Sequence, residues 1–315
     1  MKKSRVTVCL LLGIIQFMAY SCNKSNSLKD SVLEKDATGS SGAKNLKLLS
    51  VGVISDWETG NASQWNGIVA KDLSAQFGVG NASVMPVRQG TYAARFTVRP
   101  GDNITGTSGE RCEADHFHDA WNNYTQETIG DEFYYGWSTY FPTNWTNPAG
   151  WGIIMQFHHS NPINPPIAFN VSNDTIGINF MTGETVIIDA THRNYAYKNW
   201  VKFTNTLSKG LWNDFIVRVK FRPDWTGIFE LWHRVQGQAE FTKVVSLTNI
   251  PTMQWSYNAD LFDPNFEILY NTNWYTSPVW LRNGLYRGSG GTNTNTLFHD
   301  NFARGTTYAD LRARF

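Results

Sequence analysis

Short runs of alternating or wholly apolar residues follow one another along most of this chain. From about Leu49 onward they are separated by glycine, proline, asparagine and aspartate, which mark turns. No segment keeps a helical apolar period of about 3.6 residues, and no internal repeat is visible. Many short strands at regular spacing predict an all-β fold, in the form of a single β-jelly-roll sandwich over residues 49–315.

Several of the predicted strands combine an apolar face with a face of specific hydrogen-bonding groups. Side chains alternate along a strand, so in IMQFHH the apolar Met155 and Phe157 point away from Gln156 and His158. Ordinary solvent-facing strands would favour Lys, Glu and Thr, whereas these faces carry Arg111, Glu113, Asp115, Tyr134, Tyr140, Gln156, His158, Asn170, Arg282 and Tyr286. A concave sheet would gather such faces into one substrate groove; the alternative is that each face is merely solvated.

Parity also identifies residues that are expected to be structural. In ERCEADHF, Cys112 shares its face with Ala114, so we expect a small buried filler and not a thiol nucleophile. His116 lies on that same face and is expected to be structural. His159 has the wrong parity for the groove and is expected in a loop or at an edge, while the position of His118 stays ambiguous.

Three motifs occur in order along the chain: R-C-E, then Q-F-H followed by PPIAF, then L-R-N-G-L-Y-R. Together they resemble the β-jelly-roll polysaccharide lyases, in particular the glucuronan lyase and heparin lyase I group. The resemblance covers roughly residues 50–315 and implies a concanavalin A-like sandwich with a concave substrate groove. A similar series in the jelly-roll alginate lyases often has lysine where this chain has Arg282.

The resemblance implies cleavage of a 4-linked uronic-acid polymer by β-elimination. His158 and Tyr286 would be base and acid, in an order that depends on the stereochemistry of the substrate. Gln156 and Arg111 would hold the carboxylate of the sugar or its neighbouring hydroxyls. The remaining candidates are expected to bind substrate: Glu113, Arg282, Asn170, Tyr134 and Tyr140. The chain lacks long insertions of the heparin lyase kind, which favours a glucuronan-like, less sulfated polymer.

Two other functions use the same fold. A glycoside hydrolase needs two flanking carboxylates, for which Glu113 and Asp115 are the nearest candidates. A non-catalytic carbohydrate-binding lipoprotein, or a purely structural sandwich, needs no His–Tyr pair. Fold alone does not separate these functions.

The composition limits the kinds of partner that the chain is expected to bind. A formal net charge of +1 and a charged fraction of 17% give no basic signal for nucleic acid. The expected partner is an acidic polysaccharide, and a monomer is expected. β-Elimination requires no cofactor; Asp300 could ligate a structural Ca²⁺ ion, but one acid does not make a site for an ion that takes about six to eight oxygens.

The N-terminus predicts export. Residues 1–21 combine a basic start with an apolar run too short for a good membrane span, which is typical of a signal peptide. Cys22 follows AYS and is the candidate lipidation site of a bacterial lipoprotein, whereas ordinary secretion is the alternative. Residues 22–48 are polar and predict a flexible tether to the cell envelope. With Cys9 in the signal peptide, Cys112 is left without an intrachain disulfide partner.

Overall fold

The computed structural model describes residues 51–104, 109–117, 123, 125–159, 164–188, 192–204, 206–257, 268–271 and 274–315. The predicted signal peptide, Cys22, the predicted tether and His118 lie outside the described residues. Neither described helix is long and apolar enough to cross a membrane.

Strands make up most of the described chain. In chain order they are β1 Val51–Ile54, β2 Trp65–Ala70, β3 Phe77–Asn81, β4 Tyr92–Val98, β5 Gly109–Phe117, β6 Glu132–Tyr140, β7 Gly152–His158, β8 Ile167–Ser172, β9 Thr175–Ile187, β10 Arg193–Lys202, β11 Trp212–Lys220, β12 Gly227–Val235, β13 Thr242–Ile250, β14 Gln254–Trp255, β15 Ile268–Asn271, β16 Trp274–Thr276, β17 Trp280–Gly288 and β18 Asn295–Gly305. Two short helices complete the set, α1 Leu73–Gln76 and α2 Tyr308–Arg312.

The strands form two large sheets packed face to face. The first sheet has the order β13-β12-β11-β6-β18-β4-β3, with β1 beside β18. The second has the order β10-β9-β8-β7-β17-β5-β2, with β14 beside β9. Neighbours along both orders are antiparallel, and strands distant in sequence lie side by side, as in a jelly roll. The predicted all-β jelly-roll sandwich is confirmed.

The core lies between the two sheets and is rich in aromatic rings. The first sheet contributes Trp137 and Phe215, whose stacked rings lie 4.9 Å apart between centroids. The second contributes Phe157 and Phe169, both fully buried. Because alternate residues of each strand enter this layer, the others on the second sheet are left to form an open outer face.

Cys112 is confirmed as a buried filler. Its side chain is 0% exposed, and its Sγ lies 3.5 Å from the backbone oxygen of Gln76. Burial raises the pKa of the thiol to about 12, so the nucleophilic thiolate is disfavoured.

Candidate active site

The outer face of the second sheet brings together most of the predicted site residues. Arg111 and Glu113 come from β5, Gln156 and His158 from β7, and Arg282 and Tyr286 from β17. β17 lies between β5 and β7, so the three motifs occupy three adjacent strands. This adjacency follows from the topology of the fold, since the three strands are far apart in sequence.

Strand register arranges these side chains in cross-strand rows. Arg282 is paired with Gln156 on one side and with Asp115 on the other. Two residues further along these strands, Trp280 is paired with His158. On the other side of the central row, Gly284 is paired with Glu113, and Tyr286 with Arg111. His158 and Tyr286 therefore lie on opposite sides of the Gln156–Arg282 pair.

Asp115 is the anchor of an ion-pair cluster. Its carboxylate accepts hydrogen bonds from Arg282 Nε at 2.7 Å and from Trp280 Nε1 at 2.9 Å, and His116 Nδ1 lies 3.2 Å away. Burial alone would raise the pKa of Asp115, but the contacts with His116 and Arg282 outweigh it and hold this pKa well below its usual range. An ionised Asp115 fixes the orientation of the Arg282 guanidinium.

The expectation that His116 shares the buried face of Cys112 is wrong. Its ring stacks on Trp280 with centroids 4.4 Å apart, at the groove face of the sheet. The cause is a backbone φ of 41°, which interrupts the alternation on which the parity prediction relied.

Glu113 and Gln156 form the centre of the site and are both buried. Gln156 Nε2 donates to Glu113 Oε1 at 2.5 Å, and Arg111 Nη1 lies 3.5 Å from Glu113 Oε2. Burial raises the pKa of Glu113, against the opposing effects of Arg111, Arg282 and Gln156. Gln156 Oε1 has no hydrogen-bond partner among the described residues, although it is buried. A polar atom in this condition is a candidate for bonding a ligand.

His158 lies at the edge of this centre and is partly exposed. Its ring is 5.2 Å from that of Trp280. Burial, and then the positive charge of Arg282, hold the pKa of His158 well below 6.5, so the imidazole is neutral at neutral pH. Nδ1 makes no hydrogen bond within the part of the chain that the structure describes. A neutral imidazole beside a groove can accept a proton.

Tyr286 lies beside Arg111, whose guanidinium carbon is 3.8 Å from the ring centroid. Trp151 contacts the same ring edge-on at 4.9 Å and is itself 37% exposed. The Tyr286 side chain is 7% exposed. Packing against one cationic and one aromatic neighbour would hold the ring in one orientation, as a positioned acid or base requires.

Asn170 lies on β8 on the groove face, paired with Ile153, and its Nδ2 donates to the backbone oxygen of Ala168 at 3.1 Å. The interpretation of Tyr134 and Tyr140 as subsite residues is wrong. Both lie on β6, in the first sheet, with the core between them and the groove. Parity correctly places them on an outward face, but on the other side of the sandwich.

His159 is buried and its Nε2 lies 2.6 Å from Gln254 Oε1, away from the groove. The parity argument had no means of finding Trp280 and Trp151, which the structure adds to the groove. Their only signal in the sequence is an aromatic residue flanking a polar motif, which is also common in a β-rich core.

A model of the polysaccharide lyase family matches residues 57–303. The chain belongs to the polysaccharide lyase family. It is therefore an enzyme that acts on a polysaccharide, and the resemblance seen in the three motifs is confirmed at this level.

This polysaccharide lyase is similar to several solved structures. An endo-β-1,4-glucuronan lyase from Trichoderma reesei is 21% identical, with a TM-score of 0.56, over 83% of this chain and 98% of the other. An alginate lyase from Aplysia kurodai is 8% identical, with a TM-score of 0.49, over 82% and 97%. A glycoside hydrolase family 131 catalytic domain from Coprinopsis cinerea is 13% identical, with a TM-score of 0.45, over 82% and 85%. No curated protein matches the chain.

The carboxylate of Asp300 is already satisfied by backbone donors. Oδ2 accepts from the N–H groups of Arg88 and Gln89, and Oδ1 from that of Asn301. Among the described residues, no group of three His, Cys, Asp or Glu side chains could hold a metal ion. These contacts give no further support to a Ca²⁺ ion at Asp300.

Proposed function

We propose that this polysaccharide lyase cleaves a 4-linked uronic-acid polymer by β-elimination, with His158 and Tyr286 as its base and acid. A glucuronan-like polymer is the favoured substrate. The observation that carries the proposal is the Gln156–Arg282 pair at the centre of the groove, with His158 on one side of it and Tyr286 on the other. A sugar lying over this pair could be reached from both sides.

The reaction needs three functions at one sugar. A base takes the proton from C5, the electron pair of that bond forms the C4–C5 double bond, and the C4–O4 bond breaks. An acid then protonates the leaving oxygen. The neutral imidazole of His158 suits the first step and the phenol of Tyr286 the last; with a syn arrangement of the C5 proton and O4, Tyr286 could do both.

The carboxylate of the sugar makes the C5 proton a weak acid unless its charge is compensated. Arg111 and Arg282 bring two positive charges to the groove, and ionised Asp115 compensates one of them. The raised pKa of buried Glu113 favours its neutral form, and a neutral Glu113 leaves the charge of Arg111 available to the substrate. Gln156 adds an amide with an unused oxygen. Such fixed charges and dipoles stabilise the enolate-like charge of the transition state.

Hydrolysis by Glu113 and Asp115 is the weaker alternative. Asp115 is held by Arg282 and Trp280, and Glu113 is buried and accepts a hydrogen bond from Gln156. Neither carboxylate is free to act as the nucleophile or to activate water. The glucuronan substrate rests on the resemblance of the motifs and on the fold of the fungal glucuronan lyase.

The N-terminal pattern supports a proposal of location. We propose that the chain is exported, with Cys22 lipidated at the bacterial cell envelope or, as the alternative, with the protein secreted.

The test is a panel of glucuronan, alginate, heparin, hyaluronan and ulvan, read by the ultraviolet absorbance of the unsaturated uronate product. The purified protein is expected to raise this absorbance on one polymer, and His158→Ala and Tyr286→Phe should each lose about 10²–10⁴-fold in kcat. Tyr140→Phe, on the opposite sheet, is the matched control and should keep full activity.

Reducing ends without the ultraviolet signal would move the assignment to hydrolysis. An active His158→Ala variant would remove His158 from the chemistry.

A further inference from the structure

The groove extends beyond the proposed cleavage point along one continuous cross-strand row. Starting from Arg282 and Gln156, this row runs through Ala168 on β8 and Asn179 on β9 to Trp200 on β10. Residues paired directly across antiparallel strands point to the same side of the sheet. Trp200 therefore faces the same groove as Gln156, at the far edge of the sheet.

The parity of β9 and β10 confirms this placement. Ile178 and Phe180 on β9 are fully buried in the core, whereas Asn179 between them is partly exposed. On β10, Tyr197 contacts core residue Phe180, while Trp200 is 45% exposed. The indole is thus on the outer, groove side, and much of it faces solvent.

The absence of a side chain at Gly177 lets the Trp200 indole pack directly on the backbone of β9. A Cβ on Gly177 would lie 2.3 Å from Cζ2 of Trp200 and 2.6 Å from its Cη2, so the outer end of the indole lies directly on the bare backbone of β9. Gly177 is paired with Asn170, which leads through Ile153 to Tyr286. The indole therefore leans toward the row that contains Tyr286.

Two lysines flank the indole on the same face. Lys198 and Lys202 lie two residues to either side of Trp200 and are both exposed. Within the described ranges, neither lysine forms an ion pair with a carboxylate. Lysines on an edge strand commonly prevent pairing with other chains. That use does not explain a large exposed indole between them.

We propose that Trp200, seated on Gly177 and flanked by Lys198 and Lys202, is a distal subsite that binds one uronate unit of the polymer. The apolar face of the indole matches the C–H face of a pyranose ring, and the two ammonium groups match its carboxylate. Between β17 and β10 there are four strand steps of about 4.8 Å, or roughly 19 Å. The subsite would thus bind a sugar several units from the bond that is cleaved. This inference rests on the proposed uronate substrate.

The test compares Trp200→Ala with Trp225→Ala, a control at a tryptophan that is 54% exposed, lies on the β11–β12 connection and contacts Tyr197 on the other face of β10. On a long polymer, Trp200→Ala should raise KM about 10-fold with kcat within about two-fold of wild type. On the shortest oligomer that is cleaved, which does not reach β10, it should have no effect. Gly177→Ala keeps the tryptophan, but its added Cβ displaces the indole from the backbone of β9, so this variant should give part of the same KM increase.

Retardation of each variant in a gel containing the acidic polymer separates this inference from the proposed reaction. Cleavage with equal KM values for Trp200→Ala and Trp225→Ala would overturn the subsite alone. Retardation that Trp200→Ala abolishes, without product absorbance from the wild type on any polymer, would overturn the reaction and support the subsite. Wild-type protein that is neither active nor retarded would overturn both.

Discussion

His158 is kept neutral by its position rather than by a hydrogen-bonding partner. Burial and the nearby Arg282 both disfavour the imidazolium, so its pKa lies well below 6.5. If His158 is the base, kcat/KM should stay level as the pH falls to 6.5 and should decrease only below it, because kcat/KM reports the free enzyme. A pH profile of kcat/KM measures this. Removing the nearby charge in Arg282→Gln should shift the acidic limb upward, whereas a wild-type limb centred above 6.5 would contradict the assignment.

Individual site residues were predictable from strand parity as far as the direction of each side chain. Gln156 and His158 do face away from Met155 and Phe157, and Arg111 and Glu113 face away from Cys112. The same rule failed for Tyr134 and Tyr140, because parity gives a face but does not say which sheet the strand joins. It failed for His116 because a single positive φ reverses the alternation.

Strand β17 has a glycine that its neighbour β5 requires. A Cβ on Gly284 would lie 2.4 Å from the backbone oxygen of Cys112 and 2.6 Å from Cα of Glu113, and its φ is 153°. We expect Gly284→Ala to lower the free energy of unfolding by roughly 2 kcal/mol, since the clash is with backbone. Urea unfolding measures the change. Gly67→Ala on β2 is the control, because a Cβ there meets nothing within 4 Å.

The same substitution has a functional consequence for this element. Gly284 separates Arg282 from Tyr286 on one strand, so a shift of β17 away from β5 would misplace both. Gly284→Ala should therefore reduce kcat even under conditions where it is fully folded. Full kcat in a folded Gly284→Ala variant would show that the β5–β17 spacing does not position the site.

At the level of elements, the strands could be read from the sequence but their register could not. The polar motifs predicted β5, β7 and β17, and the resemblance placed them in one groove. Trp200 lies in the same row as Gln156 only because four consecutive strands, β7 to β10, pair in a particular register. Small shifts at bulges, such as that between Asn283 and Tyr286, alter such rows and leave no distinct pattern in the sequence.

The whole molecule divides its tasks between the two sheets. The second sheet carries the groove, whereas the first carries a buried ionic network around Asp214, which is 0% exposed and pairs with Arg88 and Arg234. Breaking a buried ion pair usually costs about 3–5 kcal/mol. We therefore expect this network, which lies on the sheet opposite the groove, to stabilise the fold without taking part in the chemistry. Substitutions in this network should thus lower stability and leave the chemistry at the groove unchanged.

Asp300 on β18 couples the stability of the whole fold to pH. It is 1% exposed, and burial raises its pKa to about 7, against hydrogen bonds from the N–H groups of Arg88, Gln89 and Asn301. Between about pH 4 and 7 the folded state then holds a proton that the unfolded state has released, so this group lowers stability as pH rises, by up to about 4 kcal/mol. Urea unfolding with a chelator present should show the wild type losing stability relative to Asp300→Asn across that range. A relative gain with rising pH would mean that the three N–H groups dominate and that Asp300 is ionised in the folded protein.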